Sequence, residues 1–226
     1  MDDAPASLAE RVATLRDRVD AATRAAGRNS GSVAIMAVTK TQPRDMLIAA
    51  VDAGLHDLGE NYVQEARAKL VDLPPVTKHF IGHVQTNKAR VICELFDVVQ
   101  SVDRIEAGVA LAKAARSLNR TLRVLVQVNV SPTERFGASP AEAPALAARL
   151  RDEGLAVDGV MAIGPLDGNT DAAFASARDA FERVGGSTLS LGMSNDLESA
   201  VRHGSTMVRV GTAIFGARAP RGENGR

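Results

Sequence analysis

Apolar residues recur early in the chain at Leu8, Val12, Leu15, Val19 and Ala22, spacings that put one stripe on one helix face. Ser7 and Glu10 fit a capping box at its start, and Gly27 is a natural stop. Beyond it the texture changes to alternation. Short β-type runs are expected at Val33–Thr39, His56–Gly59, His79–Gly82, Phe96–Gln100, Arg123–Val130, Val157–Ile163, Thr188–Gly192 and Thr206–Val210. Helical runs separate them: Pro43–Ala53, Tyr62–Val71, Asn87–Leu95, Arg104–Leu118, Pro140–Glu153, Asp171–Val184 and Asp196–His203. Strands that alternate with helices indicate βαβ units and a parallel sheet.

The span from Val33 to Gly216, divided by eight, leaves about 23 residues per unit. That just holds a strand, a helix and two short loops. The expectation is an α/β fold, a single closed (β/α)8 TIM barrel over residues 1–216, with residues 1–30 forming an extra N-terminal helix. An open doubly wound sheet is the alternative. It is weakened because no strand is followed by a glycine-rich phosphate loop. The polar tail 217–226 is expected to be disordered.

Composition narrows the function. Lys plus Arg and Asp plus Glu number 27 each, so no bulk charge attracts a polyanion. Aromatics are 3% of residues, with no Trp and one Tyr, Tyr62. That leaves little to stack bases on, so no nucleic-acid partner is expected. One cysteine, Cys93, excludes an internal disulfide framework and a cysteine-rich zinc site. It lies among Val91, Ile92 and Leu95 and reads as a buried apolar side chain. No apolar run approaches membrane-spanning length, and the first residues are acidic where a signal peptide would be basic. A cytoplasmic protein with no membrane partner is expected.

In such a barrel the chemistry sits at the C-terminal ends of the strands. Lys40 ends strand one. An amine at the mouth of an apolar strand is partly desolvated, which favours its neutral form and Schiff-base formation with an aldehyde. The plain alternative is a lysine that snorkels to solvent. Strand seven runs into Gly192-Met193-Ser194-Asn195-Asp196, and strand eight into Gly211-Thr212-Ala213. Loops after strands seven and eight commonly cradle phosphate in these barrels. Ser194 and Thr212 can donate hydroxyls, and Gly211 lets backbone amides approach an anion. Asp196 reads as a helix N-cap. Arg209 points inward if Val208 and Val210 face the helices, and it then needs an acceptor: a ligand, or an internal carboxylate such as Glu60. An amine, an inward arginine and a phosphate cradle together fit a phosphorylated aromatic aldehyde, of which pyridoxal 5′-phosphate is one. A Schiff-base aldolase acting on a sugar phosphate stays open on the same residues.

The histidines are poor metal candidates. His79 and His83 in one strand would stand roughly 13 Å apart, too far to share an ion. Lys88 and Arg90 form a small basic patch that reads as a solvated face.

Several blocks carry a resemblance: Val38-Thr39-Lys40-Thr41, Gly59-Glu60-Asn61-Tyr62-Val63-Gln64-Glu65, His79-Phe80-Ile81-Gly82-His83-Val84-Gln85-Thr86-Asn87-Lys88, Gly159-Val160-Met161-Ala162-Ile163, Leu191-Gly192-Met193-Ser194-Asn195-Asp196-Leu197-Glu198, and the long run from Gly204 to Gly216. Together they resemble the pyridoxal phosphate homeostasis protein family over nearly the whole chain. The resemblance implies a barrel like the N-terminal domain of alanine racemase, without the racemase's second domain. It implies pyridoxal 5′-phosphate held covalently through Lys40 as a Schiff base. Ser194, Gly211 and Thr212 would hold the phosphate, Arg209 would approach the ring nitrogen, and Asn61 would lie near the ring. It further implies a non-catalytic cytoplasmic role in vitamin B6 supply, with apo forms of pyridoxal-phosphate enzymes as recipients; a monomer is expected. The alternative is a weak, racemase-like enzyme acting on amino acids. Such chemistry wants a second acid/base opposite the lysine. Tyr62 is the sole tyrosine and reads as helix packing. Departures fall at His83, Val84, Asn195 and Asp158. Asp158 stands where relatives carry a positive charge.

Overall fold

The computed structural model describes residues 6–131, 133, 136–165 and 169–216. The tail 217–226 lies outside them. Eight parallel strands close into a barrel in sequence order. They are β1 (Ala34–Val38), β2 (Asp57–Glu60), β3 (Thr77–Phe80), β4 (Val98–Val102), β5 (Arg123–Val128), β6 (Ala156–Ala162), β7 (Thr188–Ser190) and β8 (Met207–Val210). Pairing of Ala34 with Met207 and of Met36 with Arg209 joins β1 to β8 and closes the ring.

The helices are α1 (Leu8–Ala25), α2 (Arg44–Asp52), α3 (Val63–Lys69), α4 (Ala89–Leu95), α5 (Ile105–Ser117), α6 (Ala143–Asp152), α7 (Thr170–Val184), α8 (Leu197–Arg202) and α9 (Thr212–Phe215). α1 starts at the expected capping box: the Ser7 hydroxyl accepts from Glu10 N–H, and the Glu10 carboxylate accepts from Ser7 N–H at 2.7 Å. Its buried stripe of Val12, Leu15 and Val19 is the one the spacing predicts. Arginines tie it down. Arg11 donates to Ile214 O at 2.7 Å, and Arg28 donates to Ser205 O at 2.8 Å. α1 therefore braces the last two βα units.

All eight strands differ from the expected bounds by one or two residues at an end, and two, β3 and β4, are shifted by two residues at both ends. β3 begins at Thr77, two residues earlier, because partly exposed Thr77 and Lys78 pair with β2 at the N-terminal end of the barrel. There water accepts polar side chains, so the apolar run Phe80-Ile81 misplaces the strand. β4 extends to Val102, because the Ser101 hydroxyl donates to Gly82 O and is satisfied inside the wall. The short helix α9 follows β8 directly and was not anticipated.

The main apolar core lies between barrel and helices, with Phe96, Phe174, Leu47, Leu58, Leu111 and Leu150 fully buried. The space inside the barrel is different. Met36, Leu125, Met161 and Met207 are buried outside that cluster, alongside His79, Gln100, Ser190 and Arg209.

Candidate functional site

A cavity of about 530 Å³ opens at the C-terminal mouth of the barrel, on the side of β1, β7 and β8. Lys40, Ser194, Arg209, Gly211 and Thr212 all line it, so five of the six expected residues come together. Asn61 does not. It lines a neighbouring cavity of about 250 Å³ with Tyr62, His83 and Lys88.

Local chemistry explains how the wall is held. The β1–α2 loop carrying Lys40 is clamped by a second lysine. Lys69, on α3 and 7% exposed, donates to Thr39 O at 2.7 Å and Gln42 O at 3.3 Å. Its ammonium lies 2.8 Å from Glu60 and 3.3 Å from Glu65. Glu65 in turn accepts from Thr41 N–H at 2.8 Å, where Thr41 sits at φ 65°. A non-glycine residue there is strained unless its surroundings hold it. Residues on both sides of Lys40 are thus fixed by one buried ammonium and two carboxylates. The spacing Glu65–Lys69 was a visible i,i+4 signal; its long-range partners were not.

Arg209 is the most buried cation among the described residues. It is 5% exposed, and its acceptors are neutral: Nη1 donates to Ser190 O at 2.6 Å and to Ser190 Oγ at 2.9 Å, and Nη2 donates to Ala162 O at 2.7 Å. Burial lowers its pKa to about 10, and Asp196 offsets this a little. It stays cationic at neutral pH. The internal ion pair with Glu60 is corrected by this geometry. Glu60 lies outside the barrel wall, takes the Thr39 hydroxyl at 2.5 Å and pairs with Lys69. Burial raises the Glu60 carboxyl above its ordinary value despite Lys69, and its Oε2 has no hydrogen-bond partner among the described residues.

Gly211 sits two residues beyond Arg209. A Cβ there would come no nearer than 3.4 Å to Val38 O, an ordinary contact. Protein packing does not demand a glycine; its bareness leaves room in the cavity. α9 starts at the next residue, and the opening amides of a helix have no partner within it. Ser194 lies on the β7–α8 loop, which is shaped by Asp196. That residue does not cap α8 through its side chain, as was expected; its carboxylate accepts from Met193 N–H at 2.5 Å and folds the loop back on itself. Arg18 reaches the cavity from α1 and grips Glu198 with two bonds of 2.6 and 2.7 Å. No local pattern flagged it, because its partner is 180 residues away.

On the other side of the mouth, Gly82 lets the β2–α3 loop press close: a Cβ there would lie 2.1 Å from Asn61 O. The Asn61 Oδ1 atom is buried without a hydrogen-bond partner among the described residues. Tyr62 is 48% exposed, so it is not helix packing; it precedes α3 and faces the neighbouring cavity. Cys93 is buried and its thiol is pushed up to about 11 by desolvation, consistent with a packing role. His79 is bonded to Asp57 and Gln100 rather than turned to solvent. Asp158 is an acceptor for the Ser187 and Thr188 hydroxyls between β6 and β7, a use that suits its charge. Arg90 pairs with Glu94 one turn along α4.

The family model described as the N-terminal domain of alanine racemase matches residues 11–219. A protein of Pseudomonas aeruginosa named pyridoxal phosphate homeostasis protein is 42% identical over 222 residues, covering 94% of this chain and 96% of that one. The chain belongs to the pyridoxal phosphate homeostasis family. A member from Escherichia coli K12 is 37% identical over 93% of this chain and 97% of its own. Among solved structures, PipY of Synechococcus elongatus with pyridoxal phosphate bound superposes with a TM-score of 0.79 at 36% identity, covering 93% of this chain and all of that one. Alanine racemase from Corynebacterium glutamicum shares the fold at 15% identity, TM-score 0.67, and this chain spans 60% of it. Family membership agrees with the observed architecture: a closed (β/α)8 barrel with a leading helix. No helix among the described residues is long and apolar enough to cross a membrane.

Proposed function

We propose that this chain binds pyridoxal 5′-phosphate through Lys40 and serves cytoplasmic vitamin B6 homeostasis without catalysing a reaction of its own. The observation that carries the reading is one cavity lined by an amine, an arginine held by neutral acceptors, and a hydroxyl-and-amide cluster at Ser194, Gly211 and Thr212. A phosphate ester fits the cluster, where two hydroxyls and bare backbone can donate to it. Arg209 keeps a charge that no contacting carboxylate neutralises, so it is ready for a lone pair in the cavity, here the ring nitrogen. Asn61 is assigned to the ring's edge from the neighbouring cavity. The bound cofactor supplies an aldehyde carbon to which an amine can add. The same carbon chemistry would suit an aldolase, but the relatives' names and the ligand of PipY support the cofactor.

Arg209 also argues against transamination, though it does not by itself exclude racemisation. A guanidinium with a pKa of about 10 does not hand its proton to a pyridine, so the ring is a poor electron sink. A base opposite Lys40 is also needed for racemisation, and the sole tyrosine, Tyr62, faces the neighbouring cavity. In this reading the chain acts as a monomer that hands cofactor to apo-enzymes. Incubation with alanine and other amino acids in deuterated water tests this. No α-hydrogen exchange above background is expected. Turnover that disappears in Lys40→Ala would overturn the non-catalytic reading in favour of a weak amino-acid enzyme.

A further inference from the structure

Inside the barrel, Arg209 is one end of a chain of buried polar side chains. The Ser190 hydroxyl accepts from Arg209 Nη1 at 2.9 Å and donates to Gln100 Oε1 at 2.8 Å. Gln100 Nε2 meets His79 Nδ1 at 3.0 Å, and His79 Nε2 meets Asp57 Oδ1 at 2.8 Å. Ser190, Gln100 and His79 are each 3% exposed or less. Five strands, β8, β7, β4, β3 and β2, contribute one member each. Asp57 opens onto a cavity of about 230 Å³ at the opposite end of the barrel, lined also by Arg16, Asp20 and His56.

Hydrogen counting gives the chain one direction. Arg209 only donates, so Ser190 accepts from it and gives its hydroxyl hydrogen to Gln100 Oε1. Gln100 then turns its NH2 to His79, which receives it on an Nδ1 lone pair and presents Nε2–H to Asp57. Reversing the Gln100 amide would place a donor on Ser190 and a carbonyl oxygen on the His79 lone pair. Each link from Asp57 to Arg209 pairs a donor with an acceptor only in the direction found, and a mismatched link in this buried setting is costly.

We infer that Ser190 and Gln100 are positioning residues for Arg209: through the His79–Asp57 end of the chain they hold the guanidinium at the angle that lets it read a ring nitrogen in the mouth cavity. This rests on the cofactor reading above. The ligand class it selects is an aldehyde phosphate whose ring carries a hydrogen-bond acceptor opposite the phosphate arm's side of the pocket, as against one with carbon at that position.

The test compares affinity for pyridoxal 5′-phosphate with affinity for an analogue in which carbon replaces the ring nitrogen. Apo-protein is titrated with each, and the ratio of the two dissociation constants is the readout. The wild type is expected to prefer the nitrogen ring. Gln100→Met and Ser190→Ala are each expected to cut that preference about tenfold, the size of one hydrogen bond to a charged group, while affinity for the carbon analogue holds. Ser190→Thr, which keeps the hydroxyl, is expected to restore it. A merely structural role would weaken both ligands alike and leave the ratio where it was. An unchanged ratio in folded Gln100→Met and Ser190→Ala would overturn the inference, as would a wild type that does not distinguish the ligands. A wild type that takes up neither ligand would instead overturn the cofactor reading itself. If Gln100→Met does not fold, the Ser190 pair decides.

Discussion

The barrel has two interiors, and they are built on opposite rules. Between the strands and the helices, the side chains are apolar and interlocked: Phe96, Phe174, Leu111 and Leu150 are fully buried in one continuous cluster. Inside the ring of strands, methionines and a leucine share the space with His79, Gln100, Ser190 and Arg209. The outer layer draws its stability from area removed from water and from close packing. The inner column contributes little apolar area, and its polar groups must match one another donor for acceptor. A fold that concentrates stability in the outer layer is free to spend its axis on a polar column that ends in the mouth cavity. The comparison teaches where to look for function in a barrel whose sequence seems evenly apolar: among the polar residues that alternate inward.

Substitutions sort the two interiors. The largest effect is expected for Phe174→Ala in the outer layer, a loss of about 3–5 kcal/mol of stability with a matching fall in the thermal midpoint. A smaller loss there than for Gln100→Met would break the comparison. Arg209→Ala comes next and acts on binding. Ligand retention is expected to fall by about ten- to a hundredfold while cooperative unfolding persists, as loss of a charged hydrogen bond implies. Aggregation of this variant would mean that the bonds from Arg209 to Ser190 O and Ala162 O are chiefly structural. Gly211→Ala is expected to fold normally, because Val38 leaves room for the methyl, yet to weaken retention of the phosphate group by about tenfold. Equal retention would remove the cavity-space argument for that glycine.

The smallest effect is in the pH profile of stability. Burial raises the folded-state pKa of Glu60 above the ordinary 4.5, so it takes up a proton at higher pH in the native barrel than in the unfolded chain. Its contribution is present at low pH and is lost as pH rises from 4.5 through the raised value. Glu198 runs the other way. Its hydrogen bonds from Arg18 hold it below 4.5, so its contribution is present above that value and is lost as pH falls. Because the Arg18–Glu198 pair is roughly half exposed, solvent screens it and its share is small. Glu60→Gln should flatten the slope just above pH 4.5 in urea melts while the acid limb set by Glu198 remains. A slope unchanged by the substitution would show that Lys69 outweighs burial at Glu60.

Alternation and unit length made the barrel legible in the sequence: eight β-type runs, helices between them, and the capping box of α1. Strand ends were harder where polarity and position disagree, as at Thr77 and Ser101, whose side chains are satisfied by the barrel's end or wall. Lys40, Ser194, Arg209, Gly211 and Thr212 were legible because each sits just at or past a strand end. Asn61 obeys the same rule but belongs to the adjacent cavity, since which loops share a cavity depends on the closed ring. Lys69, Arg18 and Gln100 escaped for one reason. Their roles are set by partners on distant strands and helices, and a single position carries no mark of that.

The central claim is that Lys40 carries the cofactor. Protein mixed with pyridoxal 5′-phosphate, reduced with borohydride and digested, should yield in the mass spectrometer one modified peptide, with the reduced pyridoxyl-phosphate adduct on Lys40. Wild-type protein that stays colourless and unmodified, or an adduct found on Lys69 or Lys88 with Lys40 bare, would contradict the account.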